Sequence, residues 1–213
     1  MRLAGLPRRH RIVYPYTLVN PIQILFLEEL CRRIREAGVA GDFVECGVYK
    51  GGSAGILGFQ AIQSPSRRLW LFDSFAGMPE PGEKDDAAAR QIAGGYVGSE
   101  RNTRRILRRL GVPEERYRLV VGRLEDTLPA LDKPPVALLH VDCDFYDPVK
   151  LSLEQLYRHV TPGGYVVLND YGVFGGCRRA TDEFLAEREP GTEPIPIDAI
   201  ASYFQKPSSG ANS

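Results

Sequence analysis

The chain has 213 residues, 43% hydrophobic and 25% charged, and its 27 lysines and arginines balance 27 aspartates and glutamates. That length fits one domain with an ample core, and a formal net charge of zero argues against nucleic acid or an anionic membrane as the main partner. No apolar run reaches membrane-spanning length and the start lacks a secretory apolar region, so a cytoplasmic protein is expected, with Cys31, Cys46, Cys143 and Cys177 as reduced thiols too scattered for a zinc or disulfide framework.

Residues 1–19 place Arg2, Arg8, Arg9, His10 and Arg11 ahead of Tyr14 and Tyr16. They read as a loosely ordered arm or, functionally, as a flap over a site or a dimer contact. Asn20, Pro21 and Gln23 form a helix start: an N-cap, a proline at the first helical position, and a glutamine placed for a capping box. Ile22, Leu25, Phe26, Leu30 and Ile34 fall on one face of that helix and Gly38 closes it; the stripe reads as core or a dimer seam. Asp42–Cys46 is the first strand, and Ser53 is placed to cap a helix over Ala54–Gln63. Arg68–Phe72 is the second strand, ending in Asp73. The long polar stretch Ser74–Gly98 is of the length expected of a lid. A helix over Ser99–Leu110 carries Arg101, Arg104, Arg105, Arg108 and Arg109, read as a solvated basic face.

Tyr117–Val121 is the third strand, and Gly122–Pro129 leads into a short helical turn. Val136–Val141 is an unbroken apolar run, the mark of a buried parallel strand, and it turns abruptly acidic at Asp142, Asp144 and Asp147. After a helix to His159, Gly164–Leu168 repeats the pattern and ends in Asn169 and Asp170. Carboxylates at the carboxyl ends of parallel strands sit where open α/β sheets bind ligands. Asp142, Asn169 and Asp170 together would make a hard, oxygen-only cation site; the competing reading is loop capping. A helix over Arg178–Arg188 and two short strands, Ile195–Asp198 and Ser202–Lys206, complete an α/β domain over 20–206 with a mostly parallel sheet and an antiparallel close, and 207–213 reads as a flexible tail.

The turn after the first strand reads Glu45-x-Gly47-x-x-x-Gly51-Gly52 and is not a dinucleotide fingerprint. A carboxylate there would repel a pyrophosphate and suits a cationic ligand, and S-adenosylmethionine carries an ammonium, a sulfonium and no phosphate. Asp73 is placed for ribose hydroxyls, and Glu125 and Asp126 lie on the side of an adenine. His140 reads as a satisfied buried histidine, Cys143 as a packed thiol, and Asp144 as either a support for the site or a turn residue.

Six blocks, Glu45–Gly52, Phe72–Pro79, Asp126–Pro129, His140–Tyr146, Gly163–Tyr171 and Gly176–Phe184, resemble those of the macrocin-type O-methyltransferases, over roughly Gly41 to Lys206. The resemblance implies a single Rossmann-like class I methyltransferase domain with a seven-stranded, mostly parallel sheet, helices on both faces and an antiparallel last strand. It implies S-adenosylmethionine, a magnesium ion, and a small-molecule hydroxyl acceptor, a sugar on a natural product; a homo-oligomer is expected separately, with Pro21–Gly38 able to serve as a dimer helix. Carried onto this sequence, the cofactor residues are Glu45, Gly47, Tyr49, Gly51, Ser53, Asp73, Ser74, Gly122, Glu125, Asp126 and Asp142. Asp142, Asn169 and Asp170 hold the metal, Asp142 is also the base, and Tyr146, Met78 and Tyr171 are candidate acceptor contacts. Asn169 stands where the family usually has aspartate, which bears on metal affinity. Phe145 stands where catechol-type enzymes carry lysine, which favours the sugar branch. A phenol or catechol acceptor, a dinucleotide oxidoreductase and a non-catalytic cofactor-binding protein stay open as alternatives.

Overall fold

The computed structural model describes residues 6–208. Seven strands form one sheet in the order β3-β2-β1-β4-β5-β7-β6, with β1 over Asp42–Cys46, β2 over Leu69–Asp73, β3 over Tyr117–Val121, β4 over Val136–Val141, β5 over Val160–Leu168, β6 over Ile195–Pro196 and β7 over Ser202–Gln205. The first five run parallel, and β7 lies antiparallel to both β5 and β6. The order reverses at β1, with β2 on one side and β4 on the other, which leaves a crevice at the carboxyl ends of these strands.

β4 is buried along its whole length, as a central parallel strand covered on both faces must be. Side-chain alternation splits the core in two. Val44, Cys46, Leu139 and Val141 point into one layer with α7 (Tyr146–Leu156) and α8 (Gly175–Arg188). Phe43 and Leu138 point into the other, against α2 (Pro21–Glu36) and α3 (Gly52–Ala61). The start of α2 is the expected capping box: the Asn20 side chain accepts from the amides of Ile22 and Gln23, and the Gln23 side chain accepts from the Asn20 amide. At α3 the expected Ser53 cap is not formed. Gly51, at φ 90°, occupies the cap position and Ser53 falls inside the helix, because only glycine enters that left-handed turn at no cost.

Residues 8–16 are not loose. Arg8–Val13 is a helical turn and a half, α1, followed by a 3-10 turn at Tyr14–Tyr16. Ile12 and Val13 are buried against Ile24 and Ile56, and Arg9 and His10 both reach Glu28 of α2. Met1–Gly5 of the expected arm, and residues 209–213 of the expected tail, lie outside the described residues.

The stretch 74–98 also has structure of its own. It contains α4 (Ala87–Ile92) and is closed at its neck, where Met78 and Gly95 pair through their backbones at 2.8 Å. α5 (Glu100–Arg109) follows it, and a single turn, α6 (Leu124–Thr127), follows β3. Among the described residues no helix is long and apolar enough to cross a membrane.

Candidate active site

The turns after β1 and β4 meet backbone to backbone. Gly47 has φ 88°, and a Cβ on it would lie 1.9 Å from the carbonyl oxygen of Asp142, so no other residue fits. The Asp142 amide donates to the Cys46 carbonyl at 2.8 Å, and the Asn169 amide donates to the Val141 carbonyl at 2.9 Å. Three strand ends are thereby locked side by side. At the end of β2, Asp73 ties the first turn down: its Oδ2 accepts from the amides of Val48 (2.6 Å) and Tyr49 (2.8 Å), and its Oδ1 from Phe75 (2.6 Å). Tyr49, Phe75, Tyr96 and Asp144 all hold left-handed backbone at φ 51–60°. For non-glycine residues each such conformation costs about 1–3 kcal/mol and persists only where its surroundings fix it.

Above these turns lies a cavity of about 910 Å³, in the upper range for small-molecule sites and roomy for a nucleoside-sized ligand beside a second one. Of the residues read from the sequence as cofactor contacts, Gly47, Tyr49, Ser53, Asp73, Ser74, Gly122, Glu125 and Asp142 line it. Gly51 and Asp126 do not, and neither does Glu45. Glu45 is fully buried in the sheet beside its β4 neighbour, and its Oε1 lies 2.9 Å from Nδ1 of His140. That pair is only half satisfied: Glu45 Oε2 and His140 Nε2 are buried without a partner.

Asp142, Asn169 and Asp170 all line the cavity, as does Asp144. Asp142, Asp144 and Asp170 each bring a carboxylate oxygen to within 4.8 Å of the others. Asn169 Oδ1 and Asp170 Oδ2 are buried with no hydrogen-bond partner. Orphaned oxygens beside crowded carboxylates fit a hard divalent cation such as magnesium. The crowding shows in the acidities. Burial, then the charges of Asp144 and Glu45, pushes the Asp142 carboxyl well above the usual range. Burial, then the Asp142 charge, moves Asp170 up to about 8, and burial, then the Asp170 charge, moves Asp144 up to about 9.

Met78 lines the cavity, but the other two candidate acceptor contacts do not. The Tyr146 hydroxyl accepts from Lys84 Nζ and donates to Glu183, and the Tyr171 hydroxyl donates to Asp182 at 2.7 Å. Further walls come from residues that the sequence reading did not single out, such as Thr17 and Leu18 of the arm and Val173 and Phe174 before α8. None belongs to a motif; the aromatic and apolar residues around Leu18 and Phe174 were the only signal. Asp144 was legible, two positions from Asp142 in the same acidic run.

The 74–98 stretch is pinned over the cavity by two adjacent carboxylates. Asp85 accepts from the Tyr146 amide at the start of α7 (2.7 Å), and Asp86 accepts from the Gly175 amide at the start of α8 (2.7 Å). Each carboxylate meets the positive end of a helix.

Known proteins with this arrangement point one way. The family model of the macrocin-O-methyltransferases (TylF) matches residues 10–206. The demethyldecarbamoylnovobiocin O-methyltransferase of Streptomyces niveus is 36% identical over 177 residues, 79% of this chain and 67% of that protein. The 8-demethyl-8-(2,3-dimethoxy-alpha-L-rhamnosyl)-tetracenomycin-C 4'-O-methyltransferase of Streptomyces olivaceus is 30% identical over 206 residues, 93% of this chain and 78% of that protein. Among solved structures, the O-methyltransferase NovP superposes with a TM-score of 0.82 at 30% identity, over 90% of this chain and 82% of that one. This chain belongs to the macrocin O-methyltransferase family and is an S-adenosylmethionine-dependent O-methyltransferase.

Proposed function

We propose that the chain moves a methyl group from S-adenosylmethionine to a sugar hydroxyl on a natural product, with Asp142 as the base and a divalent cation, magnesium, held by Asp142, Asn169 and Asp170. The observation that carries this reading is the meeting of these three side chains, two of them with unpartnered buried oxygens, in the wall of a cavity that the adjoining Gly47–Tyr49 turn also lines. The relatives named above act, by their names, on a novobiocin precursor and on a rhamnosyl-tetracenomycin.

In the proposed pose, Gly47, Tyr49 and Ser53 hold the methionine end of the donor, Asp73 and Ser74 its ribose, and Gly122 and Glu125 its adenine. The amides at the start of α3, where Ser53 lines the cavity, suit the methionine carboxylate. Asp73 keeps one lone pair on Oδ1 for a ribose hydroxyl after its three backbone bonds. Transfer is an in-line displacement: the acceptor O–C bond forms as the sulfonium S–C bond breaks, the thioether leaves neutral, and the hydroxyl proton passes to the Asp142 carboxylate. Asp142, Asn169 and Asp170 would hold the divalent cation, which when bound would lower the pKa of the hydroxyl and offset the crowded carboxylates. Asp144 supports that set from within 4.8 Å. Met78 and the walls given by Thr17, Leu18 and Phe174 orient the acceptor.

The test is calorimetric titration of S-adenosylhomocysteine, then magnesium, into EDTA-treated protein, repeated with Asp142→Ala. Both ligands bind the native protein on this reading, and magnesium binding is lost in the variant while the cofactor product still binds. Cofactor binding without any magnesium binding would remove the metal-dependent mechanism and leave the fold's donor chemistry alone.

A further inference from the structure

One wall of the cavity is assembled from segments far apart in the chain, and a single carboxylate joins them. Thr17, Leu18 and Gln23 line the cavity from around the start of α2, and Ile200 lines it from the turn before β7. Asp198 links the two segments. Its Oδ1 accepts from the amides of Ile200 and Ala201, both at 2.8 Å, and from Gln23 Nε2 at 3.3 Å. Its Oδ2 accepts from Asn20 Nδ2 at 2.7 Å, across 178 residues. Among the described residues, the bonds to Asn20 and Gln23 are the only hydrogen bonds between the start of α2 and that turn. Asp198 itself does not line the cavity, so whatever it does for a ligand it does through the residues it holds.

Both ends of this wall rest on the site. At one end the main chain at Tyr16–Thr17 lies directly on the opening of α3. A Cβ on Gly52 would lie 2.5 Å from Thr17 Cβ and 2.9 Å from the Tyr16 carbonyl oxygen, an approach that glycine alone permits. Ser53, next in the chain, holds the methionine end of the donor in the pose above. At the other end the turn rests on the loop that follows Asn169 and Asp170. The Gly172 amide donates to the Ile200 carbonyl at 2.7 Å, and a Cβ on Gly172 would lie 2.1 Å from the Ala199 carbonyl oxygen. The clasp also leaves the helix start intact: Asn20 caps α2 with Oδ1 and reaches Asp198 with Nδ2.

We propose that Asp198 is a positioning residue for the methyl donor: by clasping the start of α2 to the turn before β7 it keeps Thr17 and Gln23 fixed beside the opening of α3, and so sets how long the donor stays bound. This rests on the pose in which Ser53 takes the methionine end of that donor, and adds to it a residue that touches neither donor nor acceptor. The physical basis is preorganisation. A wall already held in place costs no ordering when the ligand arrives, and a wall set loose charges that cost to affinity, chiefly as faster dissociation.

The experiment uses the full chain with S-adenosylhomocysteine as the probe, read by calorimetry for affinity and by surface plasmon resonance for dissociation, with urea midpoints measured in parallel. Asn20→Asp keeps the helix cap, since aspartate caps as well as asparagine, but sets two carboxylates face to face. Asp198→Asn keeps an acceptor for the Ile200 and Ala201 amides but sets two NH2 groups face to face. Each is expected to weaken S-adenosylhomocysteine about tenfold, the scale of one charged hydrogen bond, mostly through faster dissociation, and to speed deuterium exchange over residues 17–23. The double variant, Asn20→Asp with Asp198→Asn, restores donor and acceptor with their roles reversed and is expected to recover the native affinity to within about twofold. Asn20→Asp carries the test by itself if Asp198→Asn fails to fold. A merely structural Asp198 would lower the urea midpoint and leave affinity and dissociation unmoved; that result overturns the proposal, as does a double variant that binds no better than the weaker single one. Native protein that does not bind S-adenosylhomocysteine strikes the donor reading before any variant is compared, so the two failures are distinguishable.

Discussion

Asp142 sits in surroundings that oppose what a base or a metal ligand must be, namely charged. With Asp144 and Asp170 beside it and most of the water gone, the three share protons that free carboxylates release near pH 4. Asp170 holds its proton to about 8 and Asp144 to about 9. The folded, metal-free protein therefore binds more protons than the unfolded chain between about pH 4 and pH 8–9, and its stability falls as pH rises through that window, by up to about 1.4 kcal/mol per pH unit for each proton held. Urea denaturation in EDTA at pH 5.5, 7 and 8.5 should show the midpoint falling, and Asp144→Asn should flatten the trend. The same protons must leave before a cation can bind, so magnesium affinity should rise from pH 6.5 to 8.5 with measurable proton release. Asn169→Asp adds one charge to the donor set and should tighten magnesium further, read by the same titration. The juxtaposition of Asp142, Asn169 and Asp170 was legible in the sequence because two apolar strands both end in oxygen-bearing side chains, whereas one such strand end alone reads as readily as loop capping. What was not legible is Glu45: a carboxylate at the end of β1 reads as a ligand contact, yet its partner here is His140, 95 residues away.

The 74–98 stretch walls the proposed acceptor side, and its hold rests on two distant points of the chain. Asp85 and Asp86 bind amides 61 and 89 residues further along the chain. Asp85 is 8% exposed, so its bond to the Tyr146 amide is worth roughly 1.5–3 kcal/mol as a charged hydrogen bond. Asp85→Ala should free the stretch, seen as faster proteolysis between residues 74 and 98 and an acceptor KM raised about tenfold. Gly176→Ala approaches the same contact from the other side. A Cβ there would lie 1.9 Å from Asp85 Oδ1, so the substitution should loosen the stretch while leaving Asp85 in place. If neither variant changes proteolysis, the stretch is held by its neck at Met78 and Gly95 and not by these carboxylates. Length alone marked this region as a lid in the sequence, but pairing across such separations leaves no local trace. The arm shows the same blind spot: α1 is six residues long, too short for periodicity, and is stabilised by Glu28 on another helix. The start of α2, by contrast, was readable to the residue, since a capping box is written in adjacent positions, but its stripe was not: Ile24, Leu27, Leu30, Cys31 and Ile34 are buried while Ile22 and Leu25 are exposed.

At the scale of the molecule, the buried strands β1, β4 and β5 make one rigid platform, and variation is confined to what stands on its carboxyl edge. One face of α2 is left unusually apolar: Ile22 is 60% and Leu25 53% exposed, beside Leu18 at 62%. This is the face that the sequence reading left open as a dimer seam, and it can be tested directly. Ile22→Glu with Leu25→Glu should convert a dimer to a monomer in light scattering, and a native protein that is already monomeric would remove the idea. The parallel order of the sheet was expected from alternating strands and helices, whereas the exposure of Ile22 could not be read, since a stripe looks the same whether it is covered by its own sheet or left bare. The contact between Gly47 and the Asp142 carbonyl has a consequence for how such an enzyme can change. The turns after β1 and β4 touch main chain to main chain, so neither can drift without the other, and selection acting on substrate choice is left the walls that stand apart from them: the arm, the 74–98 stretch and residues 173–174. Diversification of acceptors at constant donor chemistry is then what the backbone itself enforces, and a library that randomises those three regions while sparing residues 45–49 and 140–145 is the economical way to search for new ones.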